Sequence, residues 1–271
     1  MAERAGKYLV SFSVGLREAL EYRANFFTSI LGAVAPIVIQ TALWNRLYAP
    51  GSAGDTLFGF TYVQMLGYVV VANIVSRLVR TGFEYDLNDD IRSGGLDRFL
   101  VKPIDYFGFR MARFAGAKSA ETVAMAVALV VALALLASLA AFPVSLAAVL
   151  GFAAALALAF LLNFLLFWCV GLLGFWLTEI GFLFEAVRIV VITASGGVFP
   201  LSVFGPAAQS VLEALPFRFT IQFPTEVLCG RVAGSALAWG LALAAAWSAA
   251  LAVLARVIWS AGLRRFVAVG S

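Results

Sequence analysis

The sequence predicts an all-α membrane protein of six transmembrane helices, preceded by an amphipathic helix lying in the membrane interface. Three observations predict it. The chain of 271 residues is 63% hydrophobic and 13% charged, where soluble domains carry about 25% charged residues. Apolar runs long enough to cross a bilayer, about 20 residues each, recur along its whole length. Placing the N-terminus in the cytoplasm puts 15 of the 19 Lys and Arg on the inside and three, Arg46, Arg218 and Arg231, on the outside, the asymmetry that fixes orientation. Arg188 falls within a span. Both termini are then cytoplasmic, as six spans require.

Residues 1–25 lack the uninterrupted apolar core of a signal peptide, because Lys7, Arg17, Glu18, Glu21 and Arg23 break it. Leu9, Phe12, Leu16 and Leu20 recur at spacings of three and four, opposite Lys7, Ser11 and Glu18, which predicts an interfacial helix. The first two spans are expected at about Phe26–Asn45 and Phe60–Val79. Residues 81–118 form a cytoplasmic loop. Within it Glu84 to Ser93 reads as a short helix, with Leu87 and Ile91 on one face. Asp86, Asp89 and Asp90 lie in its first turns, Arg92 near its end, and Gly94-Gly95 as its stop. Leu96 to Val101 begins a second short element, and Pro103 turns the chain. Two readings stand on these residues alone: a solvated loop whose arginines set topology, or an ordered docking surface.

Spans three and four are expected at about Ser119–Phe142 and Leu146–Trp176, the latter long enough to tilt. Gly171 and Gly174 there permit close packing. The fifth starts near Ile180 and fades at Ser195-Gly196-Gly197; the sixth covers about Ala236–Trp259. Between them, in residues 196–235, Pro200, Pro206, Pro216 and Pro224 interrupt an apolar run. It is too broken to span and too apolar to be a free loop, so a re-entrant helix pair at the outer leaflet is expected.

Glu185 and Arg188, three apart, share a face of the fifth span. They are expected to pair, either as a structural clamp or as a polar lining of a transport route at a subunit interface. Asn163 joins them as a route-lining or interhelical amide; Gln40 and Asn73 are amides of the same kind. The chain contains no histidine, and Cys169 and Cys229 have neither a CxxC nor a zinc spacing. No phosphate loop of the G-x-x-x-x-G-K-[ST] type and no G-x-S-x-G elbow occurs. An enzyme and a resident metal or cofactor are not expected. The net charge of +4 reflects topology, with no aromatic-interleaved basic patch for nucleic acid. A secondary transporter or channel driven by an ion gradient stays open as an alternative, although only one broken helical region is visible where such transporters show matching halves.

The stretch DIRSGGLDRFLVKPID, residues 90–105, resembles the cytoplasmic loop of ABC-2-type export permeases: Ile91, Gly94 or Gly95, Leu96, Leu100, Lys102 and Pro103 match its pattern. The amphipathic N-terminus, six spans and proline-rich outer segment extend the resemblance over most of the chain, which is then one transmembrane domain, 1–271. The resemblance is nearest to a bacterial branch often encoded as two permeases beside one ATPase. It implies that residues 81–118 hold a coupling helix seated on a separate ABC ATPase. Leu87, Ile91, Leu96, Phe99 and Leu100 would then be its apolar contacts, Asp89, Asp90 and Arg92 its rim, and Pro103 its end. It also implies two ATPase copies that bind the ATP and magnesium, a second permease chain, identical or paralogous, and the bacterial inner membrane. Amphiphiles, peptides, drugs, lipids and glycans are the substrate classes implied.

Overall fold

The computed structural model describes residues 2–21, 23–48, 56–100, 105–138 and 145–266. Eleven α-helices occur among them. They are α1 (Ala2–Glu21), α2 (Arg23–Tyr48), α3 (Tyr62–Val79), α4 (Phe83–Arg92), α5 (Asp97–Leu100), α6 (Tyr106–Ser138), α7 (Leu146–Gly171), α8 (Gly181–Ala194), α9 (Pro206–Ala214), α10 (Gln222–Leu228) and α11 (Gly234–Leu263). Four helical segments among the described residues are long and apolar enough to cross a bilayer: Tyr62–Arg92, Tyr106–Val131, Leu146–Phe175 and Gly234–Leu263.

α3 is the central helix. Thr61 starts it with a reciprocal capping box: its hydroxyl accepts from Gln64 N–H, and Gln64 Oε1 accepts from Thr61 N–H. The helix is buried along much of its length, from Met65 to Val79, and packs against α2, α6, α7 and α10. At its far end Asn163 of α7 donates to the carbonyl of Val79. That bond supplies one of the carbonyl partners a helix C-terminus lacks.

α6 is longer than the expected third span. It begins at Tyr106 and has 33 residues, about 50 Å at 1.5 Å per residue. The expected loop 81–118 is therefore largely helical: α4, α5 and the charged first turns of α6. Hydropathy places those turns outside the membrane but does not forbid a helix, and α1 stabilises them by lying alongside. The contact is built on two glycines. A Cβ on Gly15 would lie 2.1 Å from the carbonyl oxygen of Arg113, and one on Gly116 would lie 2.0 Å from that of Phe12. Arg113 then grips Glu18 through two nitrogens, at 2.8 and 3.1 Å. The face of α1 that packs here is the small one, with Ser11 and Gly15 buried, while Leu9, Val10 and Val14 are exposed. Ser11, expected on the polar face, is buried because backbones this close admit only small residues. Gly116→Val is therefore expected to release α1 from α6. Hydrogen exchange would show protection lost in residues 2–21 and kept in α3 and α7; unchanged protection of α1 would refute the contact.

The fifth expected span is the short helix α8. Its 14 residues reach about 21 Å, against about 30 Å of hydrocarbon. It stops where Gly196 takes a left-handed φ of 78°, a conformation open to glycine. α2, with 26 residues and Pro36 inside it, covers the expected first span, but neither it nor α8 is among the four segments above.

The proline-rich segment folds as short pieces. Pro206 and Pro216 are the first residues of α9 and of a 3-10 turn, Pro216–Thr220; Pro200 precedes another, Leu201–Phe204; Pro224 is third in α10. Each sits where its missing N–H costs no helical hydrogen bond. α10 is buried throughout and α9 nowhere. Gln222 ties the pieces together. Its N–H donates to Ser195 O, its Oε1 accepts from Leu201 N–H, and its Nε2 donates to Glu226. Arg218 bridges Glu226 and Glu213. The apolar interior falls into two clusters, one around α3, α7, α10 and α11, the other an aromatic group where α4, α6, α7 and α11 meet.

Candidate functional site

The charged stretch after α3 is an ordered helix-turn-helix. α4 carries Phe83, Glu84, Leu87, Asn88 and Ile91 on one buried face. Phe83 stacks on Phe164 of α7 with centroids 4.2 Å apart. Leu87 meets Gly171, where a Cβ would come 2.7 Å from Leu87 Cδ2; Asn88 meets Gly174 at the same distance. Gly171 and Gly174 thus provide the flat track on which α4 lies. Gly94, with φ 72°, then turns the chain, so that Leu96 N–H reaches back to Asp90 O at 3.0 Å.

This packing corrects the expected coupling surface. Leu87 and Leu96 are fully buried and Ile91 is 6% exposed, all within this chain, so they cannot be the apolar contacts of a partner. Phe99 is half-buried, its ring 4.9 Å from that of Tyr106 and 4.8 Å from that of Phe109. Asp90 is no rim charge either: its Oδ2 accepts from both Arg110 and Tyr106. The side chain of Leu100, and Lys102 and Pro103 entirely, lie outside the described residues. The exposed residues of α4 and α5 are Tyr85, Asp86, Asp89, Arg92 and Arg98, with exposed Ser93 between the two helices.

Two arginines hold α4 in place. Arg110 of α6 is 4% exposed. Its Nη1 donates to the Asp86 carboxylate at 2.9 Å, its Nη2 to the Asp86 carbonyl at 3.0 Å and to Asp90, and its Nε to the Tyr106 hydroxyl. Arg188 of α8 donates through Nη2 to Glu84 at 2.5 Å and through Nη1 to Thr81 O at 3.1 Å. Its guanidinium lies over the Phe167 ring. The expected Glu185–Arg188 pair is present only as a secondary contact of 3.5 Å, with Glu185 55% exposed and accepting from Tyr85. Glu84, whose carboxylate is wholly buried, is the principal partner, because a buried charge requires neutralisation more than an exposed one.

Glu84, Asp86, Tyr106 and Arg110 were missed from the sequence. Glu84 did carry a signal, an acid three residues before Leu87 and seven before Ile91 on the same helical face. A charge on an apolar stripe calls for a buried partner.

Two cavities adjoin this element. One, of about 480 Å³, lies between α1, α3, α4 and α6 and mixes five cations with Glu18, Asp86 and Glu121. The other, of about 310 Å³, lies between α2, α3, α7 and α8. Asn163, Arg188, Gln40 and Asn73 all line it, and Asn73 donates to Gln40; Glu185 does not line it.

The family described as ABC-2 family transporter protein matches residues 34–270. The chain belongs to the ABC-2 transporter family. As an ABC-2 membrane component it is a multi-pass membrane protein and a permease subunit of an ABC transporter, and membership implies an ABC ATPase partner. The match begins within α2, so α1 and its glycine contact precede it. A search of curated proteins finds no match to the chain.

Proposed function

We propose that this ABC-2 chain is the transmembrane subunit of an ATP-driven exporter in a bacterial inner membrane. Two permease chains, identical or paralogous, and two ATPases form the working unit. The chain has six spans, with α2 and α8 completing the four long segments and both termini cytoplasmic, as the charge asymmetry favours. ATP and magnesium are held by the ATPases. Their closure pushes on α4 and α5, and the route opens toward the proline-rich outer segment. The cargo belongs to the amphiphilic, lipid, peptide, drug or glycan classes.

The observation that carries this reading is the double clamp on α4. Through Arg110 the element is fixed to α6, and through Glu84 and Arg188 to α8. A displacement of α4 is thus transmitted to two other helices, which a solvated topology loop would not do. Docking then runs through the outward polar face, where charges set orientation and association rate. The combined variant Asp89→Lys, Arg92→Glu, Arg98→Glu is expected to lower recovery of the co-expressed ABC ATPase about tenfold or more, with the permease's thermal unfolding unchanged. Wild-type recovery and wild-type stimulated ATP hydrolysis would overturn the coupling role.

A further inference from the structure

The cavity between α2, α3, α7 and α8 is charged in one sense only. Arg77, Arg80 and Arg188 line it, and no Asp or Glu does. The neighbouring cavity shares Arg77 and Arg80 but has three acids in its wall, so only the first lacks carboxylates. Arg77 is engaged with Glu121 and Arg188 with Glu84. Arg80 is exposed and, among the described residues, has neither a hydrogen bond nor an ion pair; Glu185 and Glu121 act on it from a distance, as do Arg188 and Arg77. Arg188 Nε is buried and makes no hydrogen bond; its nearest carboxylate oxygen is Glu185 Oε2, at 3.5 Å. Arg80 thus retains donor capacity in the cavity wall, and Arg188 lines the same cavity.

The remaining wall is largely apolar, with Val79, Phe167, Ile192, Val198 and Ile221 in it. Ile189 stands at its edge and is 65% exposed. On α8 Ile189 continues into exposed Val190, and Phe182 is 86% exposed. The cavity therefore opens along an apolar helix face, as entry from a bilayer or a subunit seam requires.

We propose that this cavity binds an anionic amphiphile, with its acid group at Arg80 and Arg188 and its chain against Ile189, Ile192 and Val198. This rests on the exporter reading and narrows its cargo to the anionic class. Guanidinium groups match the planar, paired oxygens of carboxylate and phosphate. A cationic amphiphile meets Arg80 and finds no carboxylate in the cavity wall, which is how a site rejects the wrong partner. The volume of about 310 Å³ suits a head and part of one chain, at the lower end of ligand pockets.

The test uses the purified permease in a neutral maltoside detergent, without the ATPase. Dodecyl phosphate, dodecyltrimethylammonium and inorganic phosphate are compared by thermal shift and by direct binding. Dodecyl phosphate is expected to bind about tenfold or more tighter than either of the others, and Arg80→Gln to remove about that factor. Arg264→Gln, an exposed arginine at the end of α11, should leave binding unchanged. Equal binding of the cationic amphiphile overturns the charge assignment, and equal binding of inorganic phosphate overturns the role of the chain. Unchanged binding in Arg80→Gln overturns the site. Displacement by phosphatidylglycerol at equal concentration assigns the cavity to bilayer lipid and overturns its role in cargo binding. Failure of the wild-type permease to recover any co-expressed ABC ATPase, with selective binding intact, would sink the exporter reading alone.

Discussion

Arg188→Ala is expected to destabilise the protein by about 3–5 kcal/mol, the usual result of stranding one member of a buried ion pair. The carboxylate left behind is that of Glu84, which is inaccessible to solvent and whose Oε2 already lacks a hydrogen-bond partner. Thr81 O would lose its donor in the same step. Removing both charges should hurt less than removing one, since Glu84→Gln with Arg188→Gln leaves no unmatched charge. A double-mutant cycle read by thermal unfolding in detergent separates the two acids near Arg188. Glu84 and Arg188 should couple by more than about 1 kcal/mol. Glu185 and Arg188, a longer and half-exposed contact, should be additive within about 0.5 kcal/mol. The reverse ranking would restore the pairing expected from the three-residue spacing.

That spacing shows why parts of the site were legible and others not. Sequence periodicity sees neighbours on one helix. It finds that Glu185 and Arg188 share a face, and that Leu87 and Ile91 form a stripe. It does not see what covers a stripe. Here α7 covers it, because Gly171 and Gly174 let α4 lie directly on the α7 end. The glycines were read correctly as close-packing positions, but their partner helix could not be named. The same limit hid Arg110. In a stretch rich in both signs of charge, the acids that meet it, Asp86 and Asp90, are four apart on α4 and so face one way. Asp89 lies on another side and remains exposed. Local signals fared better. Gly94-Gly95 marks the end of α4. The prolines mark the starts of short pieces in the outer segment. α8 lies where the fifth span is expected, from near Ile180 to Ser195-Gly196-Gly197, because the backbone turns at Gly196.

Arg110→Ala is expected to free α4 from α6, and its effect should be local before it is global. One side chain, 5% exposed, donates to the Asp86 carboxylate and carbonyl, to Asp90 and to the Tyr106 hydroxyl, which itself donates to Asp90. Its loss leaves Asp90 partly buried beside an apolar cluster without its cation, again at a cost of about 3–5 kcal/mol. Arg110→Lys should recover little, because one ammonium cannot serve acceptors spread across a guanidinium fork. Asp90→Asn keeps the shape and removes one charge, so a loss of about 1–3 kcal/mol is expected. Asp89→Asn, on the outward side, should stay within about 0.5 kcal/mol of the wild type. Hydrogen exchange gives the decisive reading. In Arg110→Ala the amides of Phe83–Arg92 should lose protection while those of α3 and α11 keep it, and ATPase stimulation by the permease should fall with them. Full protection of Phe83–Arg92 in that variant would mean that apolar packing on α7 alone holds the element, and that Arg110 transmits nothing from α4 to α6.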